Sequence, residues 1–145
     1  MTEIELGLVR RKLSVLTRDL ADLESVAGLD LDEYRRDRLR QKGIERLLQE
    51  AVESAVDVNL HLLRAAGAAT PPDYHESFIA MGRQGIISPA LAAALAPAAG
   101  LRNRLVHEYD DIDDALVLRA VATAHAQFGA YVQEIERYLA GQRTG

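Results

Sequence analysis

Leu6, Val9, Leu13, Leu16, Leu20 and Leu23 recur at alternating steps of three and four. That spacing keeps one face of a helix against a neighbour. Thr2 and Glu5 stand at capping-box spacing ahead of the stripe, and Gly28 is placed to end it. Asp30 and Glu33 repeat the start signal, and from there to about Ala66 only Gly43 interrupts the helical pattern, as the position of a kink. This second segment carries two apolar stripes. One is Ile44, Leu48, Ala51, Ala55, Val58 and Leu62; the other is Val52, Val56 and Leu63, with Asn59 among them. A helix apolar on two faces meets more than one neighbour, either at the centre of a bundle or against another subunit.

The run GAATPPDY is a loop by composition. Asp73 and Glu76 then open a short helix through Phe78 and Met81, ended by Gly82 or Gly85. Ser88-Pro89 is an N-cap followed by proline at the first helical position, and the helix it starts runs to about His107. The acidic run DDIDD, 110–114, suits the positive end of a last helix, whose stripe is Leu118, Val121, His125, Phe128, Val132, Ile135 and Leu139. Long helices, short turns and no strand-like alternation predict an all-α fold, an up-and-down antiparallel bundle of four to five helices. Its length suits one domain over residues 1–145.

Composition narrows the setting. Apolar residues make up 48% of the chain, enough to bury a core, yet no stretch reads as a membrane span. The best candidate, residues 86–101, is short and is broken by Pro89 and Pro97. The N-terminus lacks the charged-then-apolar pattern of a signal peptide, so the cytoplasm is the expected location. Cysteine is absent, which excludes disulfides and thiolate metal sites. A net charge of −5 argues against a general nucleic-acid coat protein, though not against a locally positive RNA-cutting cleft. Arg35, Arg36, Arg38, Arg40 and Lys42 form one basic cluster, and Arg10, Arg11 and Lys12 another. Each reads as a solvated helix face, with the run 35–42 also a candidate for reaching substrate.

No HExxH, Glu-x-x-His pair or glycine-rich phosphate loop occurs, and the four histidines (61, 75, 107, 125) have no metal-ligand spacing. The distinctive stretch is GLRNRLVHEY, 100–109. Asn103 and His107 are four apart and share a helix face, with Ala96, Ala99 and Gly100 behind them as the expected floor of a groove. Arg102 lies about 140° round the helix from His107, within reach of the same phosphate. Attack of a 2′-hydroxyl on the adjacent phosphate needs a proton acceptor that works near neutral pH, and histidine provides one. It also needs a fixed positive charge against the developing charge on phosphorus, which a guanidinium supplies. Asn103 can hold the imidazole or a phosphate oxygen. The competing reading is a helix C-cap, since cations in a last turn favour the negative end of the helix.

Arg102, four intervening residues, His107, one residue and Tyr109, with Asn103 after the arginine, resembles the R-x4-H-x-Y signature of HepT-like toxins in the HEPN superfamily. The likeness extends over nearly the whole chain, from the heptad-patterned first helix to the acidic step into the last. It implies a homodimeric HEPN-like bundle with the two motifs facing a shared cleft, and a monomer without activity. It implies a metal-independent RNA endonuclease with Arg102 and His107 as catalytic residues and Asn103 in support, needing no cofactor. It also implies a partner, an MntA-like minimal nucleotidyltransferase antitoxin that transfers AMP from ATP to Tyr109. AMP there adds negative charge and bulk to the RNA groove, which opposes a polyanion. Beside this stand two alternatives, a non-catalytic helical partner of a nucleotidyltransferase and a plain structural dimer. Elsewhere His125 reads as a satisfied core histidine. Asp57 and Asn59 read as a buried polar pair setting dimer register, with support of the site as the second option. Tyr131 and Tyr138 read as packing residues.

Overall fold

The computed structural model describes residues 3–107 and 111–144, without the side chains of 143 and 144. Among these are six helices: α1 (Leu6–Ser25), α2 (Leu31–Arg36), α3 (Arg38–Ala65), α4 (Tyr74–Arg83), α5 (Pro89–His107) and α6 (Asp114–Thr144). The count exceeds the expected four to five because the segment from Asp30 to Ala66 is broken in two. Asp30 and Glu33 do form the reciprocal cap, with bonds of 2.8 and 3.2 Å. Seven residues after Asp30, Asp37 turns extended, at φ −120° and ψ 96°, and its carboxylate accepts the Arg40 amide at 3.0 Å. Aspartate competes with the helix for its own backbone and is a strong N-cap, so it ends α2 and starts α3 at once. Gly43, the expected kink, lies inside α3.

Two other boundaries differ from expectation. Thr2 lies outside the described residues, and α1 begins only after Glu5, whose amide donates 2.9 Å to His61 Nε2 on α3 instead of to a local cap. Pro97 sits within α5 and does not break it; the helix forgoes one backbone bond there. The remaining signals are in place. Asp73 accepts the Glu76 amide at 2.8 Å and Ser88 Oγ accepts the Leu91 amide at 3.2 Å. Gly85 takes φ +70° beyond α4, which favours glycine.

Long-range contacts give the helix directions. Lys12 meets Asp57 and Arg10 meets Glu136, so α1 runs against both α3 and α6. Arg102 meets Glu53, and Ser88 meets Glu134, so α5 does the same. Gln41 meets Asp114 and Ala55 meets Tyr131, which makes α3 and α6 the parallel diagonal of an up-and-down four-helix bundle. Helix α4 packs alongside α5, where Gly82 lets the two come together: a Cβ there would stand 2.8 Å from that of Ala92. Both apolar stripes of α3 are buried, so α3 is the central helix.

The core corrects three readings of polar residues. Asn59 is fully buried but not at a subunit contact; its amide donates to Ser77 Oγ at 3.1 Å and its carbonyl oxygen accepts the Tyr131 hydroxyl. Asp57 is not its partner, being exposed and paired with Lys12 at 2.9 Å. Tyr131 therefore pins α6 to α3 as well as packing edge-on against Phe78 and Phe128. The buried line of α6 follows that pin through Val117, Val121, Ala124, Phe128, Tyr131, Ile135 and Leu139. Leu118 and Val132 fall to its margin. His125 is no core residue: its side chain is 56% exposed and stands 3.0 Å from Glu24.

Candidate functional site

The second half of α5 owes its position to Leu101 and Leu105, buried against the bundle, which turn the intervening polar residues outward. Arg102 is the exception among these. It reaches α3, where Nε and Nη2 donate to Glu53 Oε2 at 3.2 and 2.7 Å. Its Nη1 donates to Asn103 Oδ1 at 3.2 Å, and the guanidinium lies 4.8 Å from the centre of the Tyr74 ring. The side chain is only 17% exposed, so it is held in one orientation. A guanidinium has five N–H donors; these three bonds leave two for a ligand.

Asn103, Arg104 and His107 are exposed on the same two turns, and His107 is the last residue of α5. Tyr109 lies outside the described residues. The structure thus brings Arg102 and Asn103 into direct contact and sets His107 one turn beyond Asn103 on an open face. The expected groove floor is not there. Ala96 and Ala99 are buried inside the bundle, and only Gly100 is at the surface. The concavity lies instead on the other flank of Arg102, a groove of about 340 Å³ between α3, α5 and α6. Leu48, Val52, Leu101, Leu105, Ala120 and Phe128 give it apolar walls.

Glu53 and Tyr74 are the site-forming residues that sequence reasoning missed. A signal existed: Arg46, Glu50 and Glu53 recur on one flank of α3, and Arg46 lies 3.6 Å from Glu50 and 3.7 Å from Glu53. The basic run divides. Arg35 is tied to Asp114 at 2.9 Å and Arg40 to the Glu33 carbonyl at 2.8 Å, while Arg36 and Arg38 are exposed. Below the site, Asp19 on α1 is 2% exposed beside Glu50. Burial first, and then the Glu50 carboxylate that can share its proton, push the Asp19 carboxyl up to about 7. Burial and the neighbouring Glu45 and Asp114 carboxylates likewise push the Tyr34 phenol up. Among the described residues no group of three or more His, Asp or Glu is placed to hold a metal, and no helix is long and apolar enough to cross a membrane. Chemically, the arrangement sets a fixed guanidinium, an amide and an exposed imidazole on the last two turns of α5.

The chain is similar to known proteins over most of its length. Residues 16–135 match the family model described as Ribonuclease HepT-like. A tRNA nuclease HepT of Aphanizomenon flos-aquae is 40% identical over 139 residues, 96% of this chain and 95% of its own. An mRNA nuclease HepT of Shewanella oneidensis is 23% identical over 129 residues, 89% of this chain and 96% of its own. Among solved structures, a toxin–antitoxin with AMP-PNP superposes with a TM-score of 0.82 at 22% identity, covering 90% of this chain and 98% of that one. A tri-AMPylated Shewanella oneidensis HEPN toxin in complex with an MNT antitoxin gives 0.81 at 23%, covering 94% and 99%. At such identities these two structures carry the fold alone, and that fold is HEPN-like. The family match and the 40% identical relative carry more: the chain belongs to the HepT-like family of endoribonucleases.

Proposed function

We propose that this chain is the toxin of a toxin–antitoxin pair and cuts RNA without a metal, through Arg102 and His107. The observation that carries the reading is the Glu53 clamp, which leaves Arg102 oriented with two free donors beside Asn103 and an exposed His107. In the step inferred, the His107 imidazole takes the proton of a 2′-hydroxyl as its oxygen attacks phosphorus. The bond to the 5′-oxygen breaks, that oxygen takes a proton, and a 2′,3′-cyclic phosphate remains. Arg102 opposes the charge that builds on the phosphoryl oxygens, and Asn103 orients the imidazole or the phosphate. The enzyme acts as a homodimer, with two motifs facing one cleft.

Its proposed partner is an MntA-like nucleotidyltransferase, which silences it by moving AMP from ATP to Tyr109. In support, one structural neighbour is a toxin described as carrying AMP groups in complex with its antitoxin. Two experiments test the reading. Purified protein with EDTA should cleave RNA, and His107→Ala and Arg102→Ala should each reduce the rate at least a hundredfold while staying folded; equal cleavage by all three removes these residues from the chemistry. After co-expression with the partner, the intact mass should rise by one or more AMP increments, and the first should vanish in Tyr109→Phe. An increment that survives the substitution places the AMP elsewhere.

A further inference from the structure

We propose that one face of α3, carrying Arg38, Lys42 and Arg46, is a subsite for the phosphate backbone of single-stranded RNA that feeds the cleavage site. The inference rests on the assignment of cleavage to Arg102 and His107. The three cations follow at steps of four, so they stand in one row about 6 Å apart along the helix. Successive phosphates of an extended strand can follow that spacing. All three line one shallow cleft together with Glu45, Gln49 and Leu105 of α5, two residues before His107, so three cations face one carboxylate there. At its inner end Arg46 lies 3.7 Å from Glu53, the carboxylate that holds Arg102, so row and site share a group.

The cations of this row are available to a ligand, and Arg36, exposed as well, stands just before it. Arg38 is exposed and has no ion-pair partner among the described residues. Lys42 pairs with Glu45 at 3.3 Å, with its own side chain 42% exposed, and Arg46 is 60% exposed opposite Glu50 and Glu53. The Arg46 pairs, on the surface side of α3, contribute roughly 1 kcal/mol or less, which a phosphate can displace; Glu45 is buried, so a phosphate meets Lys42 on its exposed side without displacing that carboxylate. Arg40, by contrast, is part-buried and bonded to the Glu33 carbonyl, while Arg35 faces Asp114 on the start of α6 and lies outside the row. A chain of net charge −5 gains little from its overall field in drawing a polyanion, so a local row must supply the attraction. A single strand that crosses this row arrives at Arg102 and His107, which favours RNA over an acidic protein surface as the occupant.

The probe is a short, fluorescein-labelled, 2′-O-methylated single-stranded RNA, which no 2′-hydroxyl attack can cut, titrated by anisotropy across a salt series. Arg38→Ala/Lys42→Ala should weaken binding about tenfold near 0.1 M salt and flatten the plot of log affinity against log salt by about 1.4, two phosphates' worth. With cleavable RNA at saturation its kcat should stay within about twofold of wild type while KM rises. Arg64→Ala/Arg137→Ala, the same charge change at the far end of the bundle, should leave the slope as it was. If the alanine pair lowers the melting temperature, Arg38→Gln/Lys42→Gln takes its place. An unchanged affinity and slope overturns the subsite. So does an equal loss in the distal control, and so does loss of nucleotidyltransferase binding with RNA binding intact, which would give the face to a protein. Failure of Arg102→Ala to slow cleavage would instead strike the catalytic assignment, and the uncleavable probe would still read the row.

Discussion

Arg102 is fixed by a single carboxylate, and that dependence is measurable. Glu53 supplies both the charge and the acceptor for two of its donors. Orientation of a catalytic charge is worth rate, because a guanidinium that must be ordered during the reaction loses part of what it gives. Glu53→Gln keeps the shape and removes the charge. It should lower kcat about tenfold with little change in KM or melting temperature; a variant that cuts like wild type would make the clamp purely structural. Arg102, Asn103 and His107 could be read from their spacing, but Glu53 could not. A carboxylate on a helix flank looks solvated until the helix opposite is known. The same blindness let Asn59 pass as a dimer residue and His125 as a core one.

Asp19 gives a pH dependence at this scale. Its carboxyl is raised from its ordinary 3.8 to about 7, so the folded state holds a proton that the unfolded state releases. The stability this gives is fully present below about pH 4 and is lost as the pH rises towards and through 7. Arg18, Asp22 and Glu50 surround it, and of these only Arg18 favours the ionised form. Asp19→Asn, which mimics the protonated carboxyl, should flatten the fall in melting temperature between pH 5 and about 8 and stabilise the protein at pH 8 by on the order of 1 kcal/mol. A wild-type profile already flat over that range would contradict the shift.

Among the elements, most of the fold was legible because caps and stripes are local. The Asp30, Asp73 and Ser88 starts and both stripes of α3 are where periodicity places them. The break at Asp37 was not, although its signal was present: an aspartate three residues before Arg40, masked by the helix-forming arginines on either side. Its worth is that of an N-cap, and Asp37→Ala should cost about 1 kcal/mol in chemical denaturation. A loss near zero would mean that burial of Tyr34 alone sets the α2–α3 corner. The face of α6 was misjudged at every second step, with Leu118, His125 and Val132 read where Val117, Ala124 and Tyr131 are buried, since steps of three and four fit two adjacent lines. Tyr131 decides between them, because its hydroxyl needs the Ala55 carbonyl and Asn59. Periodicity carries no information about a partner on another helix.

At the scale of the whole molecule, the up-and-down order brings the start of α3, the end of α5 and the start of α6 to one end of the bundle. The proposed site runs towards that end, from Glu53 midway along α3, which holds Arg102, to His107, the last residue of α5. The proposed mechanism calls for two proton carriers. Cleavage by a 2′-hydroxyl needs one group to accept a proton and another to donate one, and each chain's motif has a single histidine. The groove beside Arg102 is open and lined mostly by apolar side chains, a surface that suits burial against a second copy more than contact with water. Ala120 lies in that wall on α6 and is only partly buried. Ala120→Asp should leave the helices intact, sediment as a monomer and lose cleavage by at least a hundredfold. A monomeric Ala120→Asp chain cutting RNA at the wild-type rate would show that one copy carries the whole site.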